Sequence, residues 1–197
     1  MSRPTDPDRK PALLEQIVEY LLDEPLSSVS LRPLAQALGV STFTLVYHFG
    51  SRAELINEIV RSLSQRSLAI ARRLEQTPVT ILTYQESMET SWAWAIQPRS
   101  ILLLRLEFEA ALLESREGSH RFSREIYARW QQIGQDALID LGLNPAAAEA
   151  ESRLTVDTIF GLQYDLVVNQ DADAATRAFR LFAEQSRERI ERMLSAR

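Results

Sequence analysis

Apolar residues recur along this chain at steps of three and four, the repeat of an amphipathic α-helix. The first such segment is predicted to run from about residue 11 to residue 24, where Pro25 stops it. Its inward stripe consists of Leu13, Leu14, Ile17, Val18, Leu21 and Leu22. Runs that alternate apolar and polar residues between turn signals, as strands do, are almost absent. The pattern therefore predicts an all-α fold.

Residues 30 to 50 predict two short helices joined by a tight corner. Ser30 is expected to cap the first helix, Gly39 to end it through a positive φ, and Ser41 to cap the second. Leu45 and Phe49 then return to the core at the i, i+4 spacing. With the preceding segment this makes a three-helix head over residues 1 to 50 that contains a helix-turn-helix.

The outward face of the second short helix predicts contact with DNA. A solvated face normally carries Glu and Lys, whereas this one carries aromatic rings and short hydrogen-bonding groups and no acid. Phe43 suits a thymine methyl, Thr42 and Tyr47 suit base edges or phosphates, and Ser41 and Thr44 suit phosphates. The candidate DNA-binding residues are Ser30, Arg32, Ser41, Thr42, Phe43, Thr44, Tyr47, His48 and Arg52.

The remainder, residues 51 to 197, is predicted to be a helical body. Ser51 and Glu54 form a capping box for a long helix that continues to about Glu75 and connects head to body. Proline, glycine and asparagine breakers then divide the chain into five helical segments. These segments are 79 to 96, 98 to 116, 121 to 141, 146 to 168 and 173 to 195, which gives about nine helices in all.

Composition excludes several kinds of site. The chain has no cysteine, and its two histidines, His48 and His120, have no second His or Cys at ligand spacing. We therefore expect no metal, no cofactor and no catalytic centre. The apolar runs, such as Ile101 to Leu104, are too short to cross a membrane, and no apolar signal core opens the chain. A cytoplasmic protein is expected.

Net charge is unevenly distributed along the chain. The total is −5, but residues 1 to 73 carry nine basic and eight acidic side chains, so the acidic excess lies in the body. A balance of +1 is a weak electrostatic footprint for a DNA-binding head. Modest affinity with a strong salt dependence is therefore expected.

The helix-turn-helix resembles the DNA-binding domain of the TetR family of transcriptional regulators. The residues that carry the resemblance are Gly39-Val40-Ser41, Thr44-Leu45, His48-Phe49 and Arg52. The usual tyrosine after Thr-Leu is Val46 here, and the usual lysine is Arg52, which is still expected to bind phosphate. The resemblance implies a homodimer that binds a palindromic operator, a body that holds an effector pocket, and repression rather than activation.

Aromatic residues of the body are the candidates for the pocket. Helical spacing explains most of them as core, yet Trp92 and Trp94 lie two apart and point to nearly opposite faces. The pocket implied by the resemblance would suit a small apolar or drug-like effector. Asp157 and Asp165 are read as solvated or interfacial, or else as contacts for a cationic ligand. The candidate ligand-binding residues are Trp92, Phe108, Trp130, Phe160 and Tyr164.

The last two segments are predicted to form the dimer interface as a four-helix bundle across a two-fold axis. The final segment has a single apolar stripe, and the preceding one has two apolar sides, so it can contact its own domain and a neighbour together. The alternative is that both helices pack only within one chain. The candidate interface residues are Val156, Phe160, Val167, Phe179, Phe182, Ser186 and Ile190.

Two other functions remain open at this stage. The first is a helical enzyme or small-molecule carrier that keeps the head only for packing. The second is a protein-interaction adaptor whose aromatic face binds another protein. The outward residues from Thr42 to Tyr47 favour the DNA-binding regulator over both.

Overall fold

The computed structural model describes residues 9–74, 79–118 and 121–196. Over these ranges it contains nine α-helices, one 3-10 turn at Leu26–Ser28 and no strand, which confirms the all-α prediction. No helix within the described ranges combines the length and hydropathy that a bilayer span requires. The helices are α1 (Arg9–Tyr20), α2 (Leu31–Ala37), α3 (Thr42–Phe49), α4 (Arg52–Leu74), α5 (Ile81–Ala95), α6 (Pro98–Glu117), α7 (Arg121–Asp140), α8 (Pro145–Asn169) and α9 (Ala172–Ser195).

Two local predictions at the helix ends of the head are wrong. Helix α1 ends at Tyr20, four residues before the predicted end, and the chain turns before Pro25. A proline disfavours helical geometry in the residue that precedes it, so the last turn unwinds ahead of it. Ser30 occupies the N-cap position of α2, but its side chain accepts no hydrogen bond there. Ser41 does cap α3, since its Oγ accepts the backbone N–H of Thr44 at 3.0 Å.

The head core extends into the body. Ile17, Leu34, Leu45 and Leu55 from α1 to α4 are fully buried together, and Leu106 of α6 is buried in the same cluster. Helix α6 therefore packs directly on the head, in addition to the covalent connection through α4. A displacement of α6 or α4 in the body would move the head with it, because closely packed interiors transmit displacement.

A second core holds helices α5 to α9 together. Trp92 of α5 stacks on Phe179 of α9 with ring centroids 4.8 Å apart, and its Nε1 donates to Thr176 Oγ1 at 3.0 Å. Trp94 packs against both cores, so the two tryptophans do face different surroundings. Trp92 is buried, whereas Trp94 is half-buried.

A buried carboxylate fastens α8 to α9. Glu151 accepts a hydrogen bond from Ser186 at 2.8 Å and two from the Arg189 guanidinium, at 3.0 Å from Nε and 2.8 Å from Nη2. The hydrogen bond and charge of Glu151 raise the pKa of Arg189. Because Glu151 is buried, loss of Arg189 would leave its charge uncompensated.

Candidate functional site

Two glycines set the angles at which α3 enters and leaves the corner of the head. Gly39 has φ 64° and ends the α2 turn, while Gly50 has φ 71° and follows α3 directly. A side chain at Gly50 would collide with the Glu54 carboxylate, which accepts the Ser51 N–H at 2.7 Å. That backbone hydrogen bond lowers the pKa of Glu54. The capping box predicted for α4 is therefore present, and it requires glycine at position 50.

Helix α3 presents a ladder of exposed rings to solvent. Phe43 is 77 % exposed and Tyr47 is 61 % exposed, and their rings stack with centroids 6.4 Å apart. His48 meets the Tyr47 ring edge-on at 5.0 Å. Leu45 and Phe49 on the opposite side are buried. The sequence thus separated the two faces of α3 correctly.

Short hydroxyl groups flank these rings. Ser41 and Thr42 are exposed, and the Ser41 and Thr44 hydroxyls hydrogen-bond each other at 2.8 Å. Ser30 and Arg32, at the start of α2, are exposed as well. An exposed helix face with aromatic rings, hydroxyls and no acid can dock into a major groove without repelling phosphates.

Arg52 has a structural contact that the sequence did not reveal. Its Nε donates to the Val29 carbonyl at 2.6 Å and its Nη2 donates to the Ser27 carbonyl at 2.9 Å. These bonds tie the start of α4 to the chain that precedes α2. A guanidinium has five donor hydrogens, so donors remain for a phosphate after both bonds are made.

A cavity of about 530 Å³ opens in the body between α5, α7 and α8. Its floor includes the buried side chains of Tyr84, Met88, Ser152, Thr155 and Val156, and Trp130 and Ile133 of α7 form part of a wall. Burial raises the pKa of Tyr84 to about 12, so the phenol stays protonated near neutral pH. The volume falls within the range of small-molecule sites.

The cavity does not coincide with most of the aromatic residues proposed for it. Of the five candidates, only Trp130 lines it. Trp92 is buried in the body core, Phe108 meets Tyr164 edge-on at 5.5 Å, and Phe160 lies 4.4 Å from the Tyr127 ring. The cavity wall instead contains small hydroxyl residues and carboxylates. Some of them recur at helical spacing, as Thr83, Ser87 and Ser91 do, but they are polar and so form no apolar stripe in the sequence.

The residues proposed for the dimer interface divide into two groups. Val156, Phe179, Ser186 and Ile190 are buried inside one protomer, so the apolar stripe of α9 packs on its own chain. Phe160, Val167 and Phe182 are half-buried, and Arg189 lies over the Phe182 ring at 5.9 Å. The exposed apolar residues of these two helices are others: Leu154, Tyr164, Val168 and Leu181.

Comparison with known proteins identifies the head. Residues 13–59 match the family model described as bacterial regulatory proteins, tetR family. The head is therefore similar to the tetR family of bacterial regulatory proteins. The match covers all of α2 and α3, including the corner and the exposed rings.

Solved structures extend the likeness to the whole chain. A TetR transcriptional regulator from Legionella pneumophila superposes with a TM-score of 0.71 at 11 % identity, covering 94 % of this chain and 99 % of that one. A transcriptional regulator from Rhodococcus sp. Rha1 gives 0.73 at 18 %, covering 95 % and 96 %. A Saccharomonospora viridis protein solved in complex with choline gives 0.71 at 18 %, covering 91 % and 97 %.

No curated protein sequence matches this chain. The family match and the superpositions together establish a TetR-like fold with an N-terminal helix-turn-helix domain and a C-terminal helical domain. The proteins from Legionella pneumophila and Rhodococcus sp. Rha1 are both described as transcriptional regulators.

Proposed function

We propose that this chain is a homodimeric repressor that leaves a palindromic operator when a small effector enters the body cavity. The observation that carries the proposal is the exposed ring ladder of α3, set on a TetR-family head. No helix in the described part of the protomer covers Phe43 and Tyr47, and contiguous exposed apolar patches mark interaction sites.

The candidate DNA-binding residues of the head, of which Thr44 and His48 are half-buried, divide into base-reading and phosphate-binding groups. Phe43, Thr42, Tyr47 and His48 project from α3 and would meet base edges in the major groove. Ser41 and Thr44, at the N-terminus of α3, together with Ser30 and Arg32 of α2 and Arg52 of α4, would bind the phosphates on either side. Phosphate contacts fix the orientation of α3, and the base contacts then select the sequence.

Dimerisation would use the exposed apolar side of α8 and α9. Leu154, Gly161 and Val168 are seven residues apart on α8 and form one stripe, with Leu181 exposed on the neighbouring α9. Nothing lies within 4 Å of a side chain placed at Gly161, so a second helix can approach the backbone closely there. A two-fold axis through this stripe would pair the α8 helices and place two heads on successive half-sites.

The effector would act through the helices that join the cavity to the head. Helix α7 lines the cavity and packs on α4, and α8 lines it and packs on α6. Both α4 and α6 contribute to the head core. The choline complex of the Saccharomonospora viridis protein shows that a protein of this fold can take a small molecule. Binding that separates α7 from α8 would change the spacing of the two heads.

Selection of duplexes from a random pool tests the proposal. At low salt we expect the purified dimer to enrich one near-palindromic sequence with half-sites about 34 Å apart, or a multiple of that distance. The Phe43→Ala, Tyr47→Ala double variant should lose the enrichment. The control is Leu82→Ala, which truncates an equally exposed apolar residue in the body. A wild-type dimer that enriches no sequence would favour the adaptor or carrier function instead.

A further inference from the structure

The cavity floor contains a hydroxyl group without a hydrogen-bond partner. Thr155 is only 6 % exposed, and no group of the protein meets hydrogen-bonding geometry at its Oγ1. The Tyr84 phenol lies close enough for Thr155 to favour the ionised form of Tyr84, but the geometry is not that of a formed bond. A buried hydroxyl left unpaired is unfavourable, since it has lost its hydration.

Threonines in helices commonly satisfy their hydroxyl on the carbonyl four residues earlier. Thr158, one turn along α8, does so and donates to the Leu154 carbonyl at 2.7 Å. Thr155 forms no such bond with Glu151. Because Thr155 lines the cavity, its free hydrogen-bonding capacity is available to a molecule bound there.

The cavity mouth is acidic. Glu86 of α5 and Asp136 and Asp140 of α7 are exposed and line it, and the lining residues that the structure describes include no Lys, Arg or His. The only side-chain partner shown for these three carboxylates is Gln132, whose Nε2 donates to Asp136 at 2.7 Å. A ligand in this cavity therefore meets three negative charges at the entrance.

The charges of Asp136 and Asp140 are unfavourably placed for helix α7. Asp136 and Asp140 lie four residues apart, where like charges repel, and both lie near the C-terminus, where the helix dipole disfavours negative charge. The last turn of α7 contains no basic residue to compensate. The placement is therefore unfavourable for the helix and favourable for a cation at the cavity mouth.

We propose that the effector is an organic cation with an apolar body and one hydrogen-bonding group at the end opposite the charge. The apolar body fills the space beside Trp130, Ile133 and Val156, and the hydrogen-bonding group reaches Thr155. The cationic head remains at the mouth between Glu86, Asp136 and Asp140. This inference rests on the proposed effector role of the cavity, and it adds a positive charge to the small apolar or drug-like effector expected from the sequence.

Calorimetry with three matched compounds tests the inference. The probes are N,N,N-trimethyltyramine, its analogue without the hydroxyl (N,N,N-trimethylphenethylammonium), and the uncharged isostere 4-(3,3-dimethylbutyl)phenol. We expect trimethyltyramine to bind the wild-type protein about tenfold more tightly than the uncharged isostere at low salt, and its advantage to shrink as salt is added. Equal affinities for the two, or no binding by either cation at millimolar concentration, would overturn the inference.

Substitutions in the cavity test which residues contact the charged end of the ligand and which contact its hydroxyl end. Asp136→Asn with Asp140→Asn should weaken both cations about fivefold to tenfold and leave the uncharged isostere unchanged. The matched control is Asp157→Asn with Asp165→Asn, which removes the same charge from residues of α8 that do not line the cavity. Thr155→Val should weaken trimethyltyramine about tenfold and leave the hydroxyl-free cation unchanged. An equal effect of the two double variants would contradict the proposed site.

A separate measurement distinguishes failure of this inference from failure of the proposed function. Release of selected operator DNA is followed with each probe bound. If charged and uncharged probes both release the operator, the effector role of the cavity stands and its preference for cations is wrong. If a cation binds tightly without changing the affinity for the operator, the preference of the cavity for cations stands and its effector role is wrong.

Discussion

Arg105 and Glu109 lie one turn apart on α6, joined by an ion pair of 2.7 Å, and both reach into the head. Arg105 Nη2 donates to the carbonyls of Leu21 and Leu22 at 2.8 and 3.0 Å, where α1 ends. Glu109 Oε2 accepts the N–H of Leu26 at 2.6 Å. A body helix thereby satisfies backbone groups of the head that would otherwise be left unpaired.

We predict that Glu109→Ala lowers the free energy of unfolding by about 1–3 kcal/mol, because the fully buried Leu26 loses the acceptor for its N–H. Glu109→Gln should cost less, since an amide oxygen can still accept that bond. Denaturant unfolding measures both, and hydrogen exchange at Leu26 shows whether its amide becomes exposed.

The control for this contact is an ion pair that joins α6 to the head. Arg99 and Glu19 meet at 2.7 Å but are both exposed. Arg99→Ala should therefore change stability by less than about 1 kcal/mol. If Arg99→Ala and Glu109→Ala had equal effects, the hydrogen bond to Leu26 would not be the cause.

We predict different effects of Tyr47 and Arg52 on DNA binding. Tyr47→Ala should reduce the preference for the selected operator over random duplex. Arg52→Ala should weaken all duplexes alike and make the slope of log K against log salt shallower by about one phosphate. Binding isotherms at several salt concentrations, on both kinds of duplex, measure the two effects.

Arg52→Lys isolates the structural contact of this residue. Lysine keeps the charge but cannot reproduce the paired bonds to Val29 and Ser27. We expect it to restore the salt slope while the head stays less stable than the wild type. A wild-type slope in Arg52→Ala itself would limit Arg52 to the structural role.

Stability should fall as pH rises because of Glu107. Burial raises the pKa of Glu107 from its ordinary 4.5 to about 8, and no described residue forms an ion pair or hydrogen bond with it. In the folded state Glu107 keeps a proton that it loses above pH 4.5 in the unfolded state. The stabilising effect of this proton is therefore complete below pH 4.5. The effect is lost as pH rises from about 4.5 to 8.

Glu107→Gln removes this titration. Because water still reaches part of the side chain, the expected gain of the variant over wild type at pH 9 is only about 1–3 kcal/mol, with a smaller gain at pH 5. The control is Glu149→Gln, which neutralises an exposed carboxylate. Parallel pH profiles for wild type and Glu107→Gln would show that Glu107 is ionised in the folded protein.

We predict that Val168→Asp produces monomers. Val168 is 57 % exposed on the α8 stripe, so the variant should fold, yet a two-fold interface would bury the new carboxylate twice. Sedimentation should show monomers with the wild-type helical content and weaker operator binding. Leu112→Asp, which changes a residue 67 % exposed on α6, should remain dimeric. A dimeric Val168→Asp would place the interface elsewhere.

The sequence predicted the elements well and their partners poorly. Breakers such as Pro98 and Gly118 divide the body at positions close to the observed ends of α6. Periodicity identifies the apolar stripe through Phe179 and Ile190, but it cannot say whether that stripe packs on the same chain or on a second copy. The structure shows the same chain, because the stripe packs in the body core with Trp92 and other residues of its own protomer.

The candidate site shows the same contrast between features of one helix, which the sequence predicts, and features that need several helices, which it does not. The exposed face of α3 can be predicted from the sequence of that helix alone, because the residues opposite Leu45 and Phe49 must point outward. The cavity is formed by α5, α7 and α8 together, and its polar residues, such as Thr155 and Asp136, are not marked by a purely apolar stripe. Arg105 and Glu109 contact Leu21 and Leu26, which lie more than 80 residues away in the sequence, so no local pattern predicts these contacts.

The central claim is that one chain couples a ligand in the body to DNA at the head. Calorimetric titration of the effector, with and without a saturating amount of selected operator, tests it most directly. Linkage requires that operator weaken effector binding by the same factor by which effector weakens operator binding, typically about 5 to 150-fold. We expect two equal factors in that range. The same effector affinity in both titrations would contradict the account.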